Sequence, residues 1–510
     1  MKSLVLSFLL LLGAAVSAQH PTSEMSFAIT VSEEVKSVFQ PEGRLFIYVS
    51  EAEEPEPRFS SVFGDGYKFA KNIQGWDSSQ VLNLEGHDEL ITTADWDFSA
   101  VPEGEYFVQV LWKQNDESRS NTPHNLYSRP VFIQLEGNQH VDIALTEIIP
   151  ERSLVSHDLV KFFTFESEVL SNWWNKSVSL KASVLLPSGY TMNPDQNYPV
   201  RYNIGGYGSR YTRVNALAED SEFMDWWTGP EAPQIITVFL DGEGPFGDPY
   251  QLDSQNSGPY GEALISELIP RLEKEFRITG SANTRFLDGC STGGWVSLAL
   301  QLFYPEHFNG CWSYSPDPVS FRHMQLVNIY EDDNAFYNAA DYLIPSMRDV
   351  YGNPRFSIKQ EITDENVQGY SNTYTTSGGQ WGGWNALYSP KGEDGLPKPL
   401  FDHETGVIDS TVAAHWKHYD LLKYTRDNWS SLGPKIQDKI YIWMGDMDNF
   451  YLNNAMRLFE AYLNETSAPE SNAEIVFSPM KGHCTDYSHR KVLEQIQKRL
   501  LALEAVETGE

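Results

Sequence analysis

Two hydrophobic rhythms divide the chain. Between residues 24 and 148, short runs such as SFAITVS, GRLFIYVS, GEYFVQVLW and PVFIQL alternate apolar with polar positions, and Pro, Gly, Asn and Asp clusters separate them. Period-two patterning broken by turn formers predicts short half-buried strands, and several in succession predict a β-sandwich. Further along the rhythm changes. YPVRYNIGG, PQIITVFLDG, TRFLDGCS and KIYIWMGD are nearly continuous apolar runs, and between them lie the helix-like stretches ALISELIPRLEKEF, GWVSLALQLFY and NNAMRLFEAYL. Strands buried on both faces and joined by helices predict a mostly parallel sheet with both faces covered.

The interval between GCWSYSPD and KIYIWMGD exceeds any ordinary connection. It reads as an insertion at about 318–432, a lid over the carboxyl ends of the strands, where open α/β sheets hold their ligands. The expected organisation is therefore an N-terminal β-rich domain over 19–150, a connecting segment over 151–178 and an α/β domain with its lid over 179–505. The first 18 residues, MKSLVLSFLLLLGAAVSA, have a lysine, an apolar run and a small-residue end, which predicts a signal peptide and a secreted or periplasmic protein. No later stretch has the length and apolarity of a membrane span. Lys and Arg number 37 against 70 Asp and Glu, a net charge of -33, which disfavours nucleic acid and anionic membranes as partners.

GCSTG, with Ser291 at its centre, follows the strand-like TRFLD and precedes the helix-like GWVSLALQLFY. Strand, tight turn and helix are the setting in which a serine hydroxyl is aimed out of a sheet as a nucleophile. Capping of the following helix is the simpler role for a serine there, and it is compatible with the first. A serine needs a base, and the base an acid to orient it. KIYIWMGDMDNFYL offers Asp446 and Asp448 after one strand, with Asp448 preferred because a residue two positions on reaches further toward the histidine. AEIVFSPMKGHCTDY ends a second strand just before His483. His489 falls one helical step later and is expected to be solvated. YNIGGYGSR, after the first parallel strand, supplies the amide of Tyr207, which with that of Thr292 would hold an oxyanion. Trp295, Trp381 and Trp384 are the aromatic candidates for contact with substrate, although aromatic residues in such an insertion also build its own core. His415 and His418 are too isolated from carboxylates to make a metal centre, so neither metal nor organic cofactor is expected.

These stretches resemble the putative esterase family, the esterase D and feruloyl esterase-like branch of the α/β-hydrolases. The likeness rests on LKASVLLPSGYTMNPDQNYPVRYNIGGYG, GPYGEALISELIPRLEKEFRI, TRFLDGCSTGGWVSLALQLFYPEHFNGCWSYSPDP, MGDMDNFYL and MKGHCTDY. It implies an ester hydrolase with Ser291 as nucleophile, His483 as base and Asp448 as acid. Gly205 stands where the family often has a histidine before the oxyanion-hole glycine, so a differently shaped loop is expected there. Tannases and fungal-type feruloyl esterases also carry Cys-Ser and His-Cys pairs joined by a disulfide. That likeness implies a bridge from Cys290 to Cys484, with Cys311 a competing partner. The resulting expectation is an exported serine esterase acting on small-molecule or polysaccharide esters. A non-catalytic glycan-binding protein on the same scaffold, or a peptidase or acyltransferase with the same triad, are the alternatives.

Overall fold

The computed structural model describes residues 21–59 and 66–508, so the expected signal peptide lies outside the described residues. In the front part, Gly43–Ser50 pairs antiparallel with both Gly66–Ile73 and Gly104–Lys113, and these form the middle of one sheet. A second sheet places Met25–Val31 between Gln139–Leu145, parallel to it, and Leu82–Leu84, antiparallel. Alternate residues of both sheets meet in one aromatic-rich core that includes Phe27, Ile47, Val110, Trp112 and Ile143. This is the sandwich that the period-two pattern predicts, although Gly43–Ser50 is buried on both faces, with Phe46 and Tyr48 on its outer side packed among Ala70, Leu111 and Val367.

The larger sheet contains eight strands: β1 (Val160–Glu166), β2 (Ser179–Leu185), β3 (Val200–Ile204), β4 (Ile236–Leu240), β5 (Arg285–Cys290), β6 (Cys311–Tyr314), β7 (Ile440–Gly445) and β8 (Glu474–Ser478). Their spatial order is β1-β2-β4-β3-β5-β6-β7-β8. The first pairings, β1 with β2 and β2 with β4, are antiparallel and all others are parallel. This is an α/β-hydrolase sheet. Every residue of β3 and β4 is buried, which accounts for their unbroken apolar sequences. One expectation is corrected here: residues 151–178 are more than a connection, since they contain β1 and a helix at Glu168–Trp174. Phe162, Phe163 and Phe165 in KFFTFE pack against the two cores flanking the sheet, whereas the surrounding polar residues obscure that strand in the sequence.

Between β6 and β7 the chain folds over the sheet as short helices and loops. Helix α1 (Thr292–Phe303) follows β5, and the insertion contributes α2 (Ile358–Gln368) and α3 (Gln380–Tyr388), among others. The front sandwich packs against α2 through Lys68, paired with Asp364 at 2.7 Å, and Arg44, whose Nη2 donates to the Val367 carbonyl at 2.9 Å.

Candidate active site

Ser291 occupies the turn between β5 and α1 with φ 62° and ψ -127°, a region that L-residues avoid. Strain of this kind persists only where the surroundings dictate it. The cause is close packing: a Cβ on Gly293 would come within 2.1 Å of the Ile204 carbonyl oxygen, and one on Gly289 within 2.4 Å of the same atom. Both glycines of GCSTG are thus required for β5 and α1 to approach β3, and the serine between them takes the strained conformation. Its side chain makes no hydrogen bond to the helix it precedes, so the capping role is not used, and α1 begins at Thr292.

His483 and Asp448 meet in the turns after β8 and β7, with Nδ1 of the imidazole 2.7 Å from Oδ2 of the carboxylate. Asp448 is fully buried and the His483 side chain is 14% exposed. Burial pulls the imidazole down, but the Asp448 charge and hydrogen bond, with a contribution from Asp317, outweigh it and leave the pKa raised. The other oxygen of Asp448 accepts the amide of Phe450 at 2.9 Å. Asp446 points elsewhere, to Arg457 at 2.8 Å. Arg348 grips the acid turn from the insertion, its Nε donating to the Asp448 carbonyl at 2.9 Å, and within that turn Asn449 Oδ1 accepts the His483 amide at 2.9 Å.

A disulfide joins Cys290 to Cys484, linking the residue before the strained serine to the residue after the histidine across a Cα–Cα distance of 6.0 Å. Cys311 remains a buried free thiol, pushed up to about 12 by desolvation. The histidine segment has two further anchors. The Cys484 amide donates to Ser315 Oγ at 3.1 Å, and the Tyr487 hydroxyl donates to Asp288 at 2.8 Å. Asp288 is held bidentately by Arg201, both fully buried, at 2.8 and 2.6 Å. His489 is half-buried rather than solvated. Its ring faces Phe239 and Phe223, and its Nδ1 lies 3.0 Å from Arg201. Desolvation first, and then Arg201 and Arg213, depress its pKa well below the usual value.

The loop after β3 reaches the same turn, because a Cβ on Gly206 would lie 4.0 Å from the Ser291 Cβ. Tyr207 follows it, with its ring turned into the insertion and its hydroxyl donating to the Gly378 carbonyl at 3.3 Å. The front sandwich also touches this loop: Arg119 lies over the Tyr207 ring, 5.2 Å from its centroid.

The three tryptophan side chains are buried. Trp295 and Trp381 are fully buried and Trp384 is 2% exposed, and their indole N–H groups donate to the Pro318 carbonyl, Glu361 and Asp317 respectively. Trp295 lies on α1 and Trp381 and Trp384 on α3, and all three rings fill the one core that the sheet and the insertion share. Asp317 is a further buried carboxyl beside the nucleophile turn, bonded to the Thr292 hydroxyl at 2.9 Å. It follows β6 in SYSPD, the same strand-end setting that marks Asp448, so the signal was present.

Residues 177–341 match the model of the family described as putative esterase. A curated relative, an endo-1,4-beta-xylanase/feruloyl esterase of Xylanibacter ruminicola, is 26% identical over 181 residues, covering 33% of this chain and 24% of the relative. The chain therefore matches about a quarter of that relative's length. Among solved structures, a ferulic acid esterase superposes with a TM-score of 0.42 at 15% identity, covering 67% of this chain and 97% of the other. An S-formylglutathione hydrolase from Agrobacterium tumefaciens gives a TM-score of 0.39 at 14% identity, covering 68% and 96%.

Proposed function

We propose that this chain, an esterase-family protein over residues 177–341, is a serine carboxylic-ester hydrolase working through an acyl-enzyme. The observation that carries the reading is the Asp448–His483 pair tied by the Cys290–Cys484 bridge to the neighbour of a strained serine. Ser291 attacks the ester carbonyl while His483 takes its proton, and the alcohol leaves with that proton. Water then repeats the sequence on the acyl-serine, and the acid product departs. Asp448 holds the imidazole in the tautomer that accepts at Nε2 and stabilises the imidazolium as it forms. The amides of Tyr207 and Thr292 receive the oxyanion.

Acyl or aryl esters on polysaccharides are the proposed substrates, and the protein acts outside the cytoplasm. The relative's feruloyl esterase name and the signal-like start of the chain support this finer reading. Hydrolysis of p-nitrophenyl acetate by the purified chain, beside a Ser291→Ala variant, tests the chemistry. Release of p-nitrophenol by the first and not the second is expected, and equal rates would sink the assignment. A panel of feruloylated, acetylated and glucuronoyl saccharides then ranks the acyl groups.

A further inference from the structure

Asp317 stands three residues beyond β6 and is 2% exposed. Its Oδ2 accepts from the Tyr250 hydroxyl at 2.8 Å, the Thr292 hydroxyl at 2.9 Å, the Trp384 indole at 3.1 Å and the Gln380 amide at 3.5 Å. Burial raises the pKa of this carboxyl, while the hydrogen bonds from Tyr250, Trp384 and Thr292 pull it back toward the ionised, acceptor-only form. The donors come from three separate segments. Tyr250 belongs to the loop after β4, Thr292 is the first residue of α1, and Gln380 and Trp384 lie on α3 of the insertion. A buried charge is a costly way to fasten three segments, and apolar packing of similar volume holds at least as well. What distinguishes this carboxylate is its grip on the residue immediately after Ser291.

We propose that Asp317 is a positioning residue for ester cleavage: through the Thr292 hydroxyl it holds the amide that receives the oxyanion, and through Trp384 and Gln380 it seats the insertion on that turn. The proposal rests on the serine-esterase reading above. The carboxylate touches no reacting atom and acts through Thr292. Its charge has a second consequence, since it favours the imidazolium of His483. The titratable groups whose charge is felt at His483 are Asp448 and Asp317, and Asp317 in turn is coupled electrostatically to Tyr250, Tyr388 and His483.

The test combines p-nitrophenyl acetate kinetics across pH with an NMR titration of the His483 imidazole, for wild type, Asp317→Asn and Thr292→Val. Loss of an oxyanion donor costs on the order of 10²–10³ in kcat, and a displaced donor costs less, so Asp317→Asn should lower kcat about tenfold or more with KM nearly unchanged. The His483 midpoint and the acid limb of kcat/KM should both move down in that variant. Thr292→Val should reproduce the kcat loss while leaving the midpoint in place, because the charge remains. Should Asp317→Asn fail to fold, Thr292→Val and Trp384→Phe carry the kinetic arm, each with reduced kcat expected. Unchanged kcat in folded variants, an unmoved His483 midpoint in Asp317→Asn, or a rise in KM alone would overturn the proposal. Failure of the esterase reading shows separately, as wild-type protein without turnover, and the His483 midpoint then decides whether the Asp317 charge reaches the imidazole.

Discussion

The eight-stranded sheet and the insertion across its carboxyl ends are held together by different chemistry. In the sheet, continuous apolar strands pack against helices, and the fully buried charges Arg201 and Asp288 are paired with each other. In the insertion, buried carboxyl groups organise loops by collecting donors. Glu365 accepts the Trp381 and Gly382 amides at 2.9 and 2.8 Å and the Ser377 hydroxyl at 2.7 Å, thereby capping α3. Glu361 accepts from Ser346 and the Trp381 indole, and Asp420 accepts the Phe321 amide at 3.0 Å. The sheet thus places Ser291, Asp448 and His483, the proposed triad, at strand ends whose directions are fixed by backbone pairing. The insertion supplies enclosure, and its geometry depends on the charge state of groups that water cannot reach.

If reactivity belongs to the sheet, the largest losses follow substitutions at its strand ends. His483→Ala should reduce kcat by roughly 10³ or more, while Asp448→Asn should cost about 10³–10⁴ by disfavouring the productive tautomer. Asp446→Asn, two residues away and paired with Arg457, should stay within about twofold of wild type, since exposed ion pairs contribute about 1 kcal/mol at most. Steady-state kinetics on one p-nitrophenyl ester compares all three. The pH profile follows from the same pair. His483 must be neutral to accept the serine proton and its pKa is raised, so activity should fall as pH drops through a midpoint above the usual imidazole value. Asp448→Asn should bring that midpoint down, and a profile unmoved by this change would detach His483 from Asp448.

The bridge between the two strand ends comes next in size. It closes a sequence separation of 194 residues, and paired Cys290→Ala and Cys484→Ala substitutions should cost about 2–4 kcal/mol in denaturant unfolding. Activity should fall as well, because the histidine turn loses one of its anchors. A double variant as stable and as active as wild type would reduce the bridge to an ornament of the fold.

The smallest effect concerns the insertion. Burial pushes Glu365 up to about 8 and Glu361 up to about 7, against ordinary glutamate values near 4.5. A carboxyl with a raised folded pKa keeps a proton that the unfolded chain releases. The stability it contributes is therefore full below the unfolded value and is lost as pH rises toward the folded one. The thermal midpoint should decline between pH 4.5 and about 8, and Glu365→Gln should flatten that decline by a few degrees, on the scale of ~2–4 °C per kcal/mol. An unchanged slope in differential scanning calorimetry would remove the carboxyl from the account.

The same contrast decides what was legible in the sequence. The strand-end placement of Ser291, Asp448 and His483 is readable because each sits in a local pattern of strand, turn and glycine, and such patterns fix direction without knowledge of the rest of the chain. The Cys290–Cys484 link was readable only by resemblance, since the two residues are brought together by the fold of everything between them. The burial of Trp381 and Trp384 is hidden from the sequence for a related reason. Their letters in SGGQWGGWNALY fit a substrate platform or a core equally well, and the carboxylates that draw their indoles inward, Glu361 and Asp317, lie 20 and 67 residues away. Strand β1 was missed because its apolar residues contact two cores on opposite faces, which leaves no period-two alternation to detect.

The most direct measurement of the central claim is intact and peptide-level mass spectrometry of protein acid-quenched during turnover of p-nitrophenyl acetate. A single acetyl group on the peptide containing Ser291, absent from Ser291→Ala and accumulating in Asp448→Asn if deacylation slows more than acylation, is the predicted result. Turnover with the acetyl on another residue, or undiminished turnover by Ser291→Ala, would contradict it.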